Sequence, residues 1–123
     1  MPCVLVVDDD ADIRELIARM LRQARYEVRT ATDGETALAS MLLVVPDLVI
    51  LDIAMPRRTG LEVLQVLRAR RETAVTPVIV VTARASAQDV EQGFRVGADD
   101  YVIKPFRVPE LMSRVLATVG PAH

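Results

Sequence analysis

Residues 48–52 read Leu-Val-Ile-Leu-Asp, four consecutive aliphatic side chains that stop on a carboxylate. A run this short with no polar alternation fits a strand buried on both faces, and such strands belong to parallel sheets covered by helices on each side. The pattern recurs. Val4-Leu5-Val6-Val7 ends on Asp8-Asp9-Asp10, Val78-Ile79-Val80-Val81 ends on Thr82, and Tyr101-Val102-Ile103 ends on Lys104-Pro105. In an open α/β sheet the ligand crevice lies outside the carboxyl ends of the strands. The carboxylates of Asp8, Asp9 and Asp52, the Thr82 hydroxyl and the Lys104 ammonium are therefore expected at one edge.

Between these runs the apolar spacing becomes helical. Ile13, Leu16, Ile17, Met20, Leu21 and Ala24 recur at intervals of three and four, which gives a helix with one inward face. Asp10 and Asp12 stand at its start and Arg22 and Arg25 in its last turn, the sense that complements the helix dipole. Residues 27–31 alternate as a short second strand. Asp33-Gly34 turns into a helix over about 35–43, stopped by Pro46, because the residue before a proline is pushed out of the α region. Residues 56–60 read as loop, and Leu61, Leu64 and Leu67 mark the inner face of a third helix. Arg68, Arg70 and Arg71 at its end read as solvated, dipole-compensating side chains. Ser86 caps a fourth helix and Gly97 ends it. Val108, Leu111, Met112, Val115 and Val119 line a fifth, which Gly120-Pro121 breaks. This βαβαβαβαβα order, without repeats, predicts one doubly wound α/β domain over residues 1–119. Residues 120–123 read as a tail or the start of a linker.

At 123 residues and 51% hydrophobic composition the chain suits a single packed domain rather than a disordered segment. A net charge of −2 gives no field to draw nucleic acid or an anionic membrane, so neither is expected as a partner. No uncharged apolar stretch approaches the ~20 residues that a membrane-spanning helix needs, and a cytoplasmic location is expected. Cys3 is the single cysteine and reads as a small buried hydrophobe. His123, the single histidine, stands at the last position and is not read as a catalytic base.

Asp8, Asp9 and Asp52 in one cluster repel one another, by roughly 4 kcal/mol for a pair about 4 Å apart at an effective dielectric of ~20. A hard cation relieves this, and Mg²⁺ prefers one or two carboxylates with water and phosphate oxygens. Lys104 is the single lysine beside fourteen arginines, as expected for a site that needs a compact ammonium rather than a planar guanidinium. Pro105 allows a cis peptide that would fix the direction of Lys104. The hydroxyl of Thr82 and the backbone N–H of Ala83 are suited to phosphoryl oxygens.

The joint order Asp-Asp, Asp, Thr, Lys-Pro resembles the receiver domain of bacterial two-component response regulators. The resemblance is carried by residues 4–14 (VLVVDDDADIR), 46–60 (PDLVILDIAMPRRTG), 77–83 (PVIVVTA) and 97–111 (GADDYVIKPFRVPEL). It implies a flavodoxin-like five-stranded parallel sheet in the order 2-1-3-4-5. It implies that Asp52 takes a phosphoryl group from a sensor histidine kinase, a phosphotransfer protein or a small phosphodonor. Mg²⁺ would be held by Asp9, Asp52 and the backbone carbonyl of Ala54, with Asp8 acting through water. Lys104 would pair with the acyl phosphate, and Thr82 and Ala83 would bind its other oxygens. Tyr101 would pass from exposed to buried, remodelling the face of helix 4, strand 5 and helix 5 toward an effector domain or protein. Such a chain is no enzyme beyond its own phosphorylation and dephosphorylation. A Mg²⁺-dependent aspartate-nucleophile phosphatase is the alternative, but it would need a substrate pocket or cap domain. A nucleotide or flavin carrier would need a Gly-rich loop where residues 8–12 stand.

Some residues depart from the family pattern. Ala54 cannot hydrogen-bond the attacking water, and Arg84 is expected to influence the lifetime of the phosphoryl group. The run Met41-Leu42-Leu43-Val44-Val45 is expected to turn Met41 and Val45 inward and to leave the rest as a contact surface, with a homodimer as one outcome. Asp99, Asp100 and Arg114 are expected to be free for partner contacts.

Overall fold

The computed structural model describes residues 1–55 and 59–122; Pro56, Arg57 and Arg58 of the expected loop, and His123, lie outside the described residues. Strands and helices alternate as β1 (Cys3–Val7), α1 (Ala11–Gln23), β2 (Glu27–Ala31), α2 (Gly34–Leu43), β3 (Leu48–Leu51), α3 (Gly60–Ala69), β4 (Val78–Thr82), α4 (Ala87–Val96), β5 (Asp100–Ile103) and α5 (Val108–Val119). The strands pair in parallel in the order β2-β1-β3-β4-β5.

The pleat explains the uninterrupted apolar runs. Leu5, Val7, Val49, Leu51, Val78 and Val80 turn toward α2, α3 and α4. Val4, Val6, Leu48, Ile50, Ile79 and Val81 turn toward α1 and α5. Each of these positions meets a hydrophobic layer, so a polar residue would have no water to face. The parallel register also sets the rim: Val7 pairs with Leu51 and Thr82 with Ile103, so Asp8, Asp52, Thr82 and Lys104 leave the sheet at one edge. The Asp10 side chain caps α1 by accepting from Asp12 N at 2.9 Å and Ile13 N at 3.2 Å, and Ser86 accepts from Asp89 N at 3.0 Å. Thr59 and Glu62 form a reciprocal capping box on α3. Among the described residues no helix is long and apolar enough to cross a membrane.

Several local expectations are corrected. Arg25 lies beyond α1 at φ 73° rather than in its last turn. The buried face of α3 is Gly60, Val63, Leu64 and Leu67, with Leu61 only partly covered. Gly60 takes one position of that stripe without an apolar side chain, which hides the true phase from a hydropathy pattern. On α5, Leu111 and Val115 are buried, whereas Val108 in the first turn is exposed. Met41 is buried as expected, but Val45 is 42% exposed together with Leu42, Leu43 and Val44. The helix ends at Leu43 and Val44 is extended, so helical spacing no longer places Val45. Arg114 binds both oxygens of Asp100, at 2.7 and 2.9 Å, and Asp99 is held by Arg68, so these charges are engaged within the chain.

Arg68 is the largest departure from the solvated role expected of it. Its Nε and Nη2 donate to the Gly97 carbonyl at 3.1 and 2.8 Å, and its Nη1 donates to the Thr76 carbonyl at 2.7 Å. Nη2 also meets Asp99, whose carboxylate accepts from Val78 N at 2.8 Å. One guanidinium thus ties the end of α3 to the entries of β4 and β5. Arg68→Ala should lower the unfolding free energy by about 2–3 kcal/mol, because charge-assisted bonds to several partly buried carbonyls vanish together. The check is a lower urea midpoint at unchanged slope, with Arg68→Lys recovering only part, since an ammonium lacks the planar fork.

Candidate carboxylate and lysine site

The site is built on four strand ends. Asp52 follows β3 with its backbone N–H donating to the Val7 carbonyl at 3.0 Å, and Asp8 follows β1 with its N–H donating to the Ala31 carbonyl at 3.2 Å. These bonds continue the sheet one step past the strands and fix both carboxylates side by side. The Lys104 ammonium reaches between them, donating to Asp8 Oδ2 at 2.8 Å and Asp52 Oδ2 at 3.1 Å. Lys104 N donates to the Thr82 carbonyl at 2.8 Å, which aligns its stem with β4. The Lys104–Pro105 peptide is cis.

Backbone donors occupy the remaining carboxylate oxygens. Ala54 N–H donates to Asp52 Oδ1 at 2.8 Å and Asp10 N–H to Asp8 Oδ1 at 3.0 Å. Arg14, for which the sequence suggested no task, donates from Nη1 to the Asp8 carbonyl at 3.0 Å. Asp8 is 2% and Asp52 6% exposed, whereas Asp9 is exposed. Burial raises the Asp8 carboxyl above its ordinary value, against the lowering pull of Lys104 and the Asp10 N–H. For Lys104, burial pulls downward, but the hydrogen bonds and charges of Asp8 and Asp52 outweigh it and the ammonium is held above its ordinary value.

Asp8, Asp9 and Asp52 each offer a carboxylate oxygen within 4.8 Å of the others. All are hard oxygen donors at a partly open rim, with a preference for Mg²⁺ or a similar cation over softer metals. The residues present therefore fit the cation that the sequence implied.

Thr82 is fully buried, and Arg84 N–H points at its Oγ1 across 3.4 Å. Ala83 is exposed at the rim, as is Arg84. Tyr101, expected to be exposed before phosphorylation, is instead only 8% exposed, because its hydroxyl donates to the Arg84 carbonyl at 2.7 Å and its ring lies against Phe94. The expected passage of this ring from exposed to buried is thereby corrected. The residues that sequence reasoning missed here are Arg14 and Gly60. Gly60 packs directly on the backbone of Asp52 and Ile53. Apolar spacing carries no signal for a position whose requirement is empty space.

Comparisons with known proteins agree on one family. The model of the response regulator receiver domain matches residues 4–116. The chain is 44% identical over 117 residues to the DNA-binding dual master transcriptional regulator RpaA of Synechocystis sp., covering 95% of this chain and 48% of that protein. It is 47% identical over 116 residues to the transcriptional regulatory protein PrrA of Mycobacterium tuberculosis, covering 94% of this chain and 49% of that protein. The chain thus spans about half the length of the curated relatives it matches. Among solved structures, the chemotaxis protein CheY4 of Vibrio cholerae superposes with a TM-score of 0.91 at 35% identity, over 96% of this chain and 98% of that one. The expected partner set, which left out nucleic acid, is corrected by these names. The net charge of this chain says nothing of the other half of those relatives, among which are proteins named as DNA-binding regulators.

Proposed function

The chain belongs to the response regulator receiver domain family, and from that premise we propose that Asp52 is its phosphoacceptor, charged by a sensor histidine kinase. The observation that carries the reading is the Lys104 ammonium held between the buried carboxylates of Asp8 and Asp52. A carboxylate oxygen of Asp52 attacks the phosphorus of a phosphohistidine in line. The O–P bond forms as the P–N bond breaks, and the electron pair returns to the imidazole nitrogen, which then takes a proton. Negative charge on the passing phosphoryl oxygens is met by Lys104, already held between Asp8 and Asp52, and by the Thr82 hydroxyl and the Ala83 N–H as the loop after β4 closes on them. Asp9, Asp52 and the Ala54 carbonyl would hold Mg²⁺ directly and Asp8 through water. When bound, that ion would neutralise charge between the carboxylates and the phosphoryl oxygens. Water cleaves the acyl phosphate and resets the domain, so the chain turns over no substrate but its own aspartyl ester.

Phosphorylation adds about one negative charge and new acceptor oxygens. Thr82 is drawn toward them and the Arg84 carbonyl moves with the loop, shifting the hydroxyl contact of the already buried Tyr101, so the face of α4, β5 and α5 changes. A local charge event thereby biases a two-state surface. We further propose that residues 1–119 form the receiver, that it acts in the cytoplasm with its kinase, and that its output is transcriptional control, in keeping with the relatives' names.

Incubation with Mg²⁺ and a small phosphodonor should add one phosphoryl group to the wild-type mass. Asp52→Ala should gain none, and a chelator should prevent the gain in wild type. Equal labelling of Asp52→Ala, or none of the wild type, would overturn the proposal.

A further inference from the structure

Gly93 stands inside α4, where alanine would ordinarily stabilise a helix by about 0.5–1 kcal/mol. Its backbone does not call for glycine. The positive-φ glycines among the described residues are Gly97 and Gly120. What Gly93 supplies is clearance: a Cβ there would lie 2.8 Å from Tyr101 Cε2 and 3.0 Å from Cδ2, well inside the ~3.5–4.0 Å at which carbon atoms rest. The ring has little room to withdraw. Its hydroxyl is bonded to the Arg84 carbonyl at 2.7 Å, and Phe94 lies against it with ring centroids 6.2 Å apart. It also shares a buried cluster with Val78, Val80 and Ala98.

We infer that Gly93 is a positioning residue for Tyr101, and that the missing side chain opens the slot in which the ring sits. The contacts run from Thr82 through Arg84 and Tyr101 to Gly93, linking the rim of β4 to α4. A methyl group at 93 closes the slot and expels the ring, so that the loop after β4 and α4 no longer move together. The consequence for signalling rests on the phosphoacceptor reading; the steric claim does not.

The chain holds two tyrosines and no tryptophan, so 3-fluorotyrosine gives two ¹⁹F resonances, assigned with Tyr26→Phe. In wild type, with or without Mg²⁺ and beryllium fluoride as a phosphoryl stand-in, the Tyr101 signal should resist broadening by a soluble gadolinium chelate. In Gly93→Ala it should broaden several-fold more, while Asp52 still accepts label from a small phosphodonor. Gly93→Ala should lower Tm in the wild-type background and raise it in the Tyr101→Ala background. A protected Tyr101 signal in Gly93→Ala, or a Tm shift of one sign in both backgrounds, overturns the inference. If Gly93→Ala alone does not fold, the double variant decides: folded, it upholds the inference, and unfolded, it overturns it. Wild-type protein that takes no label would refute the phosphoacceptor reading alone, since the ring measurement needs no phosphoryl group.

Discussion

Lys104→Ala should destabilise the chain by about 3–5 kcal/mol at neutral pH, the usual cost of leaving one side of a buried ion pair uncompensated. The ammonium lies 2.8 Å from Asp8 and 3.1 Å from Asp52, and its side chain is 16% exposed against 2% for Asp8. Without it, two carboxylates face each other with little water between them. The pH dependence follows from the directions of the two shifts. The raised Lys104 ammonium contributes stability that is fully present below its ordinary value of 10.5 and lost as pH rises through its higher folded value. The Asp8 carboxyl is also raised, first by burial, so its contribution is present below its ordinary 3.8 and lost as pH rises through the folded value. At neutral pH a charged Asp8 is therefore a standing cost that Lys104 offsets. The gap between wild type and Lys104→Ala, measured by chemical denaturation, should narrow in acid, where Asp8 takes a proton, and again in strong alkali. Phosphoryl uptake should fall about 10²–10³-fold, the usual loss when one fixed charge-stabilising donor is removed. Lys104→Arg should restore stability better than uptake, because a planar fork fits two carboxylates more readily than it leaves room for a phosphoryl group. A variant within about 1 kcal/mol of wild type at pH 7 would mean that water satisfies these carboxylates.

The strands and the site's charged members were legible for one reason. A strand buried on both faces has no polar positions, so β1, β3 and β4 stand out as unbroken aliphatic runs, and their ends are marked by the first side chain with other chemistry. Parallel pairing then brings those ends to one rim whatever their separation in sequence, which is why Asp8, Asp52 and Lys104 meet across 96 and 52 residues. The features that escaped are of two kinds. Arg68 finds its role in carbonyls contributed by segments around residues 76 and 97, and nothing near it in sequence announces them. Gly60 and Gly93 act through the volume they leave free, which neither hydropathy nor charge records. Val45 failed because a helical period was carried past the end of its helix.

Gly60→Ala should damage both fold and site, more severely than a core truncation of equal cost. A Cβ at position 60 would lie 2.3 Å from the Asp52 carbonyl oxygen and 2.4 Å from the Ile53 Cα. Both are backbone atoms, so no side-chain rotation relieves the overlap, in contrast to the aromatic ring that faces Gly93. Either α3 lifts away, exposing Val63, Leu64 and Leu67, or the segment that carries Asp52 is displaced. Overpacking of this kind costs about 1–3 kcal/mol and more where backbone must move, so a loss of about 3–4 kcal/mol is expected. Phosphoryl uptake should fall further than that loss explains, because a displacement of ~1 Å at a reacting group costs on the order of 10²-fold. Leu64→Ala supplies the comparison. It removes a fully buried side chain from the same helix face, at an expected cost of about 2–5 kcal/mol, while leaving the Asp52 backbone unpressed. Labelling rates measured at a temperature where both variants are folded should differ by about 10-fold or more, with Gly60→Ala the slower. Equal rates would mean that α3 yields to the added methyl and Asp52 stays in place.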